Sequence, residues 1–566
     1  MRVDGKNEGP RQSMSWLHTW TSLLLGWLLY AVFLTGTLSF FQNEITVWMK
    51  PELHQSINTT SQQQQLTYAL HYLNQKGHAA ESWNIRFANE RQPAIMLNVR
   101  KPGEGRRRGG EIYLDAQTGQ EIKARETRGG GFLYRFHFEL YGMPRIWGRW
   151  IVGIATLFMF VAIISGIITH KKIFKDFFTF RPAKGQRSWL DAHNATAVFA
   201  LPFHLMITFS GLLLLMHLFM PWAMNTHYGN VRNFYQILNE PVAQTPEQVR
   251  LLAEQKQKQA VEEGRGNRGG GRGGETEQVA PMLAAAPMVN LVALSQQVQH
   301  GWGDNPIASV RVNQPNTVKA DVQFNATHTK TLLDRESVPS LKFNAVTGQL
   351  IDEAKPVNSA SKAIYTLVTW LHMARGVDSV LRWLLFLSGI LGTMMIASGL
   401  ILWVVKRIPE VQKLGYKPFG HRVVEVLNIT AITGLPIACA AYFFANRVIP
   451  AQLAERSPLE INVFFSVWLL CLMHAAVRAH RPAWLEQLAL AAAMFLFIPI
   501  LNFVTGGQAL WMSSYHGQWM IASFDLVCII LGLIFIYSYY KLKRYQGLPV
   551  KQKKQPKVQM VQEHTG

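Results

Sequence analysis

The sequence predicts a mainly α-helical polytopic membrane protein of about eight transmembrane helices, carrying two small water-exposed α+β domains in a tandem repeat. Three observations predict it. Apolar runs of about 20 residues, enough to cross a hydrocarbon core of about 30 Å, recur along a chain that is 49% hydrophobic. Two long polar stretches, at about 43 to 130 and about 223 to 365, interrupt them. Histidines stand at matching places at the ends of the first runs, where an ionisable side chain is costly and usually functional.

Residues 1–42 hold the N-terminus and the first span, Trp16 to Phe41. The run follows Arg2, Lys6 and Arg11, is too long for a signal-peptide core and lacks a small-residue cleavage site, so it reads as an uncleaved anchor. Residues 43–135 form the first polar domain, and 136–222 the second and third spans, Trp147 to Thr169 and Ala195 to Trp222. Residues 223–370 form the second polar domain, lengthened by a Gly/Arg-rich tract at 264–275 whose composition cannot bury a core and reads as a linker. The loop around Arg106, Arg107 and Arg108 is of the same kind. Residues 371–407 contain the fourth span, Trp383 to Val405. A further bundle occupies 408–541, with spans Val423 to Ala445, Ile461 to Val477, Trp484 to Val504 and Trp519 to Tyr540, and 542–566 is a basic tail.

The net charge of +21 is explained by where the cations lie. Lys171, Lys172, Lys175, Arg181, Lys184 and Arg187 follow the second span, Lys406, Arg407, Lys413, Lys417 and Arg422 the fourth, Arg478 and Arg481 the sixth, and Lys541 to Lys557 the eighth. The short connection 505–518 carries no charge. Positive loops face the cytoplasm, so both termini are expected there and both polar domains on the outer side, the periplasm of a bacterial inner membrane. A nucleic-acid partner is not expected; the lipid bilayer is.

An internal repeat organises the first two thirds. His18 begins a span with Thr35-Gly36 near its far end, and His193 begins one with Ser210-Gly211 at a matching distance. Thr118-Gly119-Gln120 and Thr347-Gly348-Gln349 each read as a turn between two strands, the glycine accepting positive φ. His137 precedes a span ending in Ser165-Gly166, as His372 precedes one ending in Ser398-Gly399. The unit is helix, α+β domain, helix, twice over.

Repeat symmetry pairs His18 with His193 and His137 with His372, at opposite faces of the membrane, and bis-imidazole pairs point to two haem b groups. Attachment would be non-covalent, because Cys439, Cys471 and Cys528 are the only cysteines and form no Cys-x-x-Cys motif. His170 and His204 lack repeat partners and stand as alternative ligands; His217 is a further, interfacial candidate. A continuous helix from His170 back to His137 would be about 50 Å long. A break is therefore expected at Gly142 and Pro144, and a weaker one at Gly376 in the second copy.

The Leu-His-x-Trp opening with its later Leu-Thr-Gly (17–36), the two Thr-Gly-Gln turns, the His-Lys-Lys at 170–172 and the Leu-Asp-Ala-His-Asn at 190–194 resemble the PepSY-associated transmembrane family, over about residues 14 to 407. The resemblance implies PepSY-like outer domains and a bacterial inner-membrane reductase that uses haem b to release iron from ferric siderophores. Hard-oxygen chelators hold ferric ion far better than ferrous ion, so one-electron transfer frees the metal. No strand, Gly-x-Gly-x-x-Gly, helix pattern for a nicotinamide or flavin is visible, so the expected donor is a quinol or a separate cytoplasmic reductase. The alternatives are a non-redox binding or regulatory protein, and an iron or siderophore transporter component built on the last four spans, where Asp525 is the clearest intramembrane charge.

Overall fold

A computed structural model describes residues 9–56, 60–77, 80–102, 110–170, 181–182, 184–229, 284–328, 339–353, 360–374 and 377–546. The Gly/Arg-rich tract 264–275, Arg106 to Arg108, Lys171, Lys172, Lys175, Gly376 and the tail from 547 lie outside them.

The chain is a multi-pass membrane protein. Among the described residues, seven spans are long and apolar enough to cross a bilayer: α1 (Pro10–Ser39), α5 (Arg145–Thr169), α10 (Ser379–Leu414), the composite Phe419–Val448, α13 (Arg456–Val477), α14 (His480–Val504) and α16 (Trp519–Arg544). The third span is not the continuous helix expected over Ala195 to Trp222. It is α6 (Gln186–Phe199) and α7 (Leu201–Leu214), bent by 69°. Pro202 cannot donate a backbone hydrogen bond and its ring opposes helix in the preceding turn, so the chain turns at Ala200.

The histidine-bearing stretches are separate helices, α4 (Gly130–Glu139) and α9 (Ala360–Met373), rather than extensions of the spans after them. Between α4 and α5, Leu140 and Gly142 have φ of 57° and 77°, and Pro144 caps α5. Arg149 of α5 reaches back to Glu139 at 2.5 Å, which holds the elbow closed. In the second copy the break falls at Ala374, with φ 47°.

Both polar stretches contribute to one eight-stranded antiparallel sheet, ordered β4-β3-β2-β1-β5-β6-β7-β8. The first copy supplies α2 (Gln42–Trp48), α3 (Gln62–Lys76), β1 (Ser82–Arg86), β2 (Ile95–Arg100), β3 (Glu111–Leu114) and β4 (Glu121–Ile122). The second supplies α8 (Leu291–Trp302), β5 (Ile307–Asn313), β6 (Asp321–Ala326), β7 (Ser340–Asn344) and β8 (Leu350–Glu353). The copies join where Ile85 of β1 faces Val310 of β5, and one core containing Leu66, Trp83, Ile85, Val310 and Phe324 serves both. The two repeat turns match in detail. Gly119 and Gly348 have φ of 71° and 77°, and Asp115 and Asn344 each accept backbone N–H groups two and three residues ahead.

The last four spans pack beside this repeat. Phe419–Val448 comprises α11 (Phe419–Ile429), a π turn (Thr430–Gly434) and α12 (Leu435–Val448). Pro436 lacks the N–H that a continuous α ladder needs, and the carbonyls of Thr430 and Ile432 accept instead from Trp468 Nε1 and Tyr30 Oη at 3.0 and 3.3 Å. A short α15 (Leu510–Tyr515) leads into α16.

Candidate functional site

The spans α1 and α5 pack together, as do α6 and α10, and α1 meets α10, so the two copies enclose one helical core. Within it the repeat histidines meet in pairs. The rings of His18 on α1 and His193 on α6 have centroids 6.2 Å apart; those of His137 on α4 and His372 on α9 are 6.1 Å apart. Along α1, from His18 to the Val32 carbonyl that anchors His137, the rise is about 21 Å at 1.5 Å per residue. Both pairs therefore fit within one membrane thickness, the second on the side of the sheet.

Each imidazole is held through Nδ1. His18 donates to the Ala162 carbonyl at 2.8 Å, His193 to Met395 at 2.9 Å, and His137 to Val32 at 2.7 Å. His372 meets the Ser210 hydroxyl at 2.7 Å. Ser210 gives its own hydrogen to the Met206 carbonyl at 2.6 Å, so His372 Nδ1 is the donor here too. In all four rings these bonds put the proton on Nδ1 and leave the lone pair on Nε2, the tautomer needed to bind a metal through Nε2.

Glycines make room for the rings. A Cβ on Gly36 would stand 2.6 Å from His137, on Gly166 3.2 Å from His18, on Gly399 3.2 Å from His193 and on Gly211 3.4 Å from His372. These are the second residues of the repeated Thr-Gly and Ser-Gly pairs. The dipeptides were visible in the sequence as repeat markers, but their role as seats for imidazoles was not, because a seat is defined across two helices.

Each pair opens into a cavity, of about 280 Å³ around His18 and His193 and about 260 Å³ around His137 and His372. Leu29 and Met159 line both, so the cavities adjoin. The first ends at Lys406 and Arg407; the second is bordered by Gln42, Tyr134, Arg149 and His217. The alternative candidates are not brought to a histidine partner of their own. His170 lines the first cavity, but its Nε2 accepts from Asn194 Nδ2 at 2.9 Å. His204 is fully buried on α7, its ring beside Phe33 and Phe203, and neither ring nitrogen has a partner at bonding geometry, although the carbonyls of Ala197 and Ser388 are near. Leu29 occupies the equivalent place in the first copy, so His204 breaks the symmetry of the core.

Residues 15–406 match the family model described as the PepSY-associated TM region. The chain belongs to this family. The match spans both histidine pairs, all four glycine seats and the sheet, and stops before α11, so the last four spans lie outside it. No curated protein matches the chain.

Proposed function

We propose that this PepSY-associated membrane protein is a haem-b oxidoreductase that passes electrons outward to ferric iron held in siderophore complexes. The observation that carries the reading is the pair of matched bis-imidazole sites, one toward each end of a single helical core. A metal–imidazole bond of about 2 Å on each side of an iron, plus roughly 1 Å from ring nitrogen to ring centre, separates two centroids by about 6 Å. The residues therefore fit the group.

Among the described residues no cluster of three or more His, Cys, Asp or Glu side chains forms a metal site. A facing pair of imidazoles would suit a porphyrin iron, which brings its remaining ligands with it. His18 with His193, and His137 with His372, would hold two haems, and bound haem b supplies one-electron redox chemistry. The chain itself fixes tautomer and ring orientation through Ala162, Met395, Val32 and Ser210, leaves room beside the rings through its glycines, and lines the cavities with apolar groups such as Leu29, Val152 and Met159.

The basic connections support a topology with the His18 pair toward the cytoplasm and the sheet in the periplasm of a bacterial inner membrane. A quinol or a cytoplasmic reductase is the donor in this reading, and the siderophore acceptor rests on the family resemblance. The deciding experiment is the visible spectrum of the purified protein, oxidised and dithionite-reduced, with a pyridine haemochrome count. Two low-spin b-type haems per chain are expected; colourless protein from haem-replete cells would overturn the proposal.

A further inference from the structure

The four spans beyond the family match touch the repeat unequally. Helix α4, which carries His137, has a seat on α1, as α9 has on α7. Of these two helices, α4 alone is described against the added bundle. Phe132 meets the rings of Tyr442 at 5.1 Å and Phe464 at 5.2 Å, and Phe136 meets Phe465 at 5.8 Å and Trp468 at 6.2 Å.

The strand of chain entering α4 is tied down as well. Thr127 Oγ1 donates to Glu460 at 2.6 Å, Arg456 donates to the Glu126 carbonyl at 3.0 Å, and Tyr442 Oη donates to the Gly129 carbonyl at 3.0 Å. Gly129 is the N-cap of α4, with φ 53°. Glu460 and Arg456 are fully buried and paired at 3.2 Å, and Asn446 Nδ2 donates to the same carboxylate at 2.8 Å. Such a network tolerates little displacement, because loss of any member leaves a buried polar group unpaired.

We infer that the last four spans are a positioning device for the sheet-side histidine pair, acting on His137 through α4 and the 125–129 segment. The ligand role of His137 rests on the function proposed above; the docking of α4 does not. Thr127 and Tyr442 are thus positioning residues for one of the two sites. Van der Waals packing of α4 on α12 and α13 sets the ring's approach to His372, whereas His193 stands on α6, which is not described against the added bundle, and α1 meets that bundle through Trp27 and Tyr30, nine and twelve residues beyond His18.

The test uses the full-length protein in detergent, with Thr127→Val as the main variant and Tyr442→Phe as the second should the first fold poorly. Hydrogen exchange is followed over residues 130–139 and 360–373, together with the low-spin electron paramagnetic resonance signals. Exchange over 130–139 should rise about tenfold with 360–373 unchanged, and one low-spin signal should shift while the other stays. Thr127→Ser, which keeps the hydroxyl, should restore both. Unchanged exchange over 130–139, an equal rise in both segments, or a shift of both signals would overturn the inference. Protein without haem would defeat the functional reading alone, since the exchange comparison still decides the docking.

Discussion

A Cβ on Gly36 would stand 2.6 Å from the imidazole of His137, closer than real Cβ contacts come. At the repeat-related Gly211 the same atom would lie 3.4 Å from His372, an ordinary contact. Gly36→Ala should therefore push His137 off its seat and lower haem at the sheet-side site several-fold, whereas Gly211→Ala should stay near wild type. Haem-to-protein ratio and the low-spin fraction measure both. Equal effects of the two substitutions would mean that the closer approach at Gly36 does not decide how His137 is seated.

On the proposed function, His372→Ala and His137→Ala should each convert the haem that this pair would hold to a high-spin form, because one iron position is left open. Each should abolish reduction of an external ferric complex while the spectrum of the haem held by His18 and His193 remains. The double variant should be no worse than either single one, since the two residues serve one site. Retention of full low-spin character and activity in His372→Ala would disprove the pairing.

Ser210 is the sole side-chain oxygen holding Nδ1 in the sheet-side pair, and Ser398 is its counterpart near His193. The two should behave differently. His193 already donates to Met395 at 2.9 Å, with Ser398 farther away at 3.4 Å, so Ser398→Ala should be silent. Ser210→Ala removes the 2.7 Å acceptor of His372, and loss of such an outer-shell partner costs about 10-fold or more in affinity for the centre. Haem retention through dialysis against a haem scavenger separates the two outcomes.

How far this architecture was legible follows from which features are local in sequence. Periodicity and length marked the spans, and the turns at Gly119 and Gly348 were readable because a positive-φ glycine and an Asx acceptor lie within a few residues. The elbow at Gly142 and Pro144 followed from helix length against bilayer thickness. By contrast Pro202 marked a place where the third span's backbone could open, but the 69° bend at Ala200 was not readable in an unbroken apolar run, where hydropathy does not register a lost backbone hydrogen bond. The fusion of the two α+β units through β1 and β5 is a pairing between residues more than two hundred positions apart, for which local pattern carries no information. The docking of α4 on α12 and α13 was invisible for the same reason, and so was the part taken by Ser210.

The junction between the sheet and the last spans should weaken in acid through His54. This side chain is fully buried, its Nε2 donating to the Val47 carbonyl at 3.0 Å and its Nδ1 accepting from the Gln508 amide at 3.3 Å. Burial, and then the Arg447 guanidinium, pull its pKa from 6.5 down to about 3. The unfolded chain therefore binds a proton that the folded one refuses between these values. Stability from this residue is complete above pH 6.5 and falls as pH drops toward 3, by about 2 kcal/mol at pH 5. Thermal unfolding in detergent between pH 7.5 and 5 should show the loss, and His54→Asn, with a lower starting stability, should show a flatter slope. A parallel slope in the variant would assign the pH dependence elsewhere.

The direction of electron flow can be tested by sidedness. The Lys- and Arg-rich connections cluster at the His18 and His193 end of the core, while the sheet stands at the His137 and His372 end. On the proposed topology, with positive loops in the cytoplasm, an external acceptor would be reached from the sheet side. The cavity there is bordered by Gln42, Tyr134 and Arg149, polar groups suited to meet a chelate at the membrane surface. Spheroplasts supplied with an internal donor should reduce an impermeant ferric chelate, and inverted vesicles should not. Arg149→Ala, which also removes the partner of Glu139 at the elbow, should slow reduction of an anionic chelate more than that of a neutral one, because the cavity border loses a cation. Equal reduction at both membrane faces would contradict the outward path, whatever the haem count.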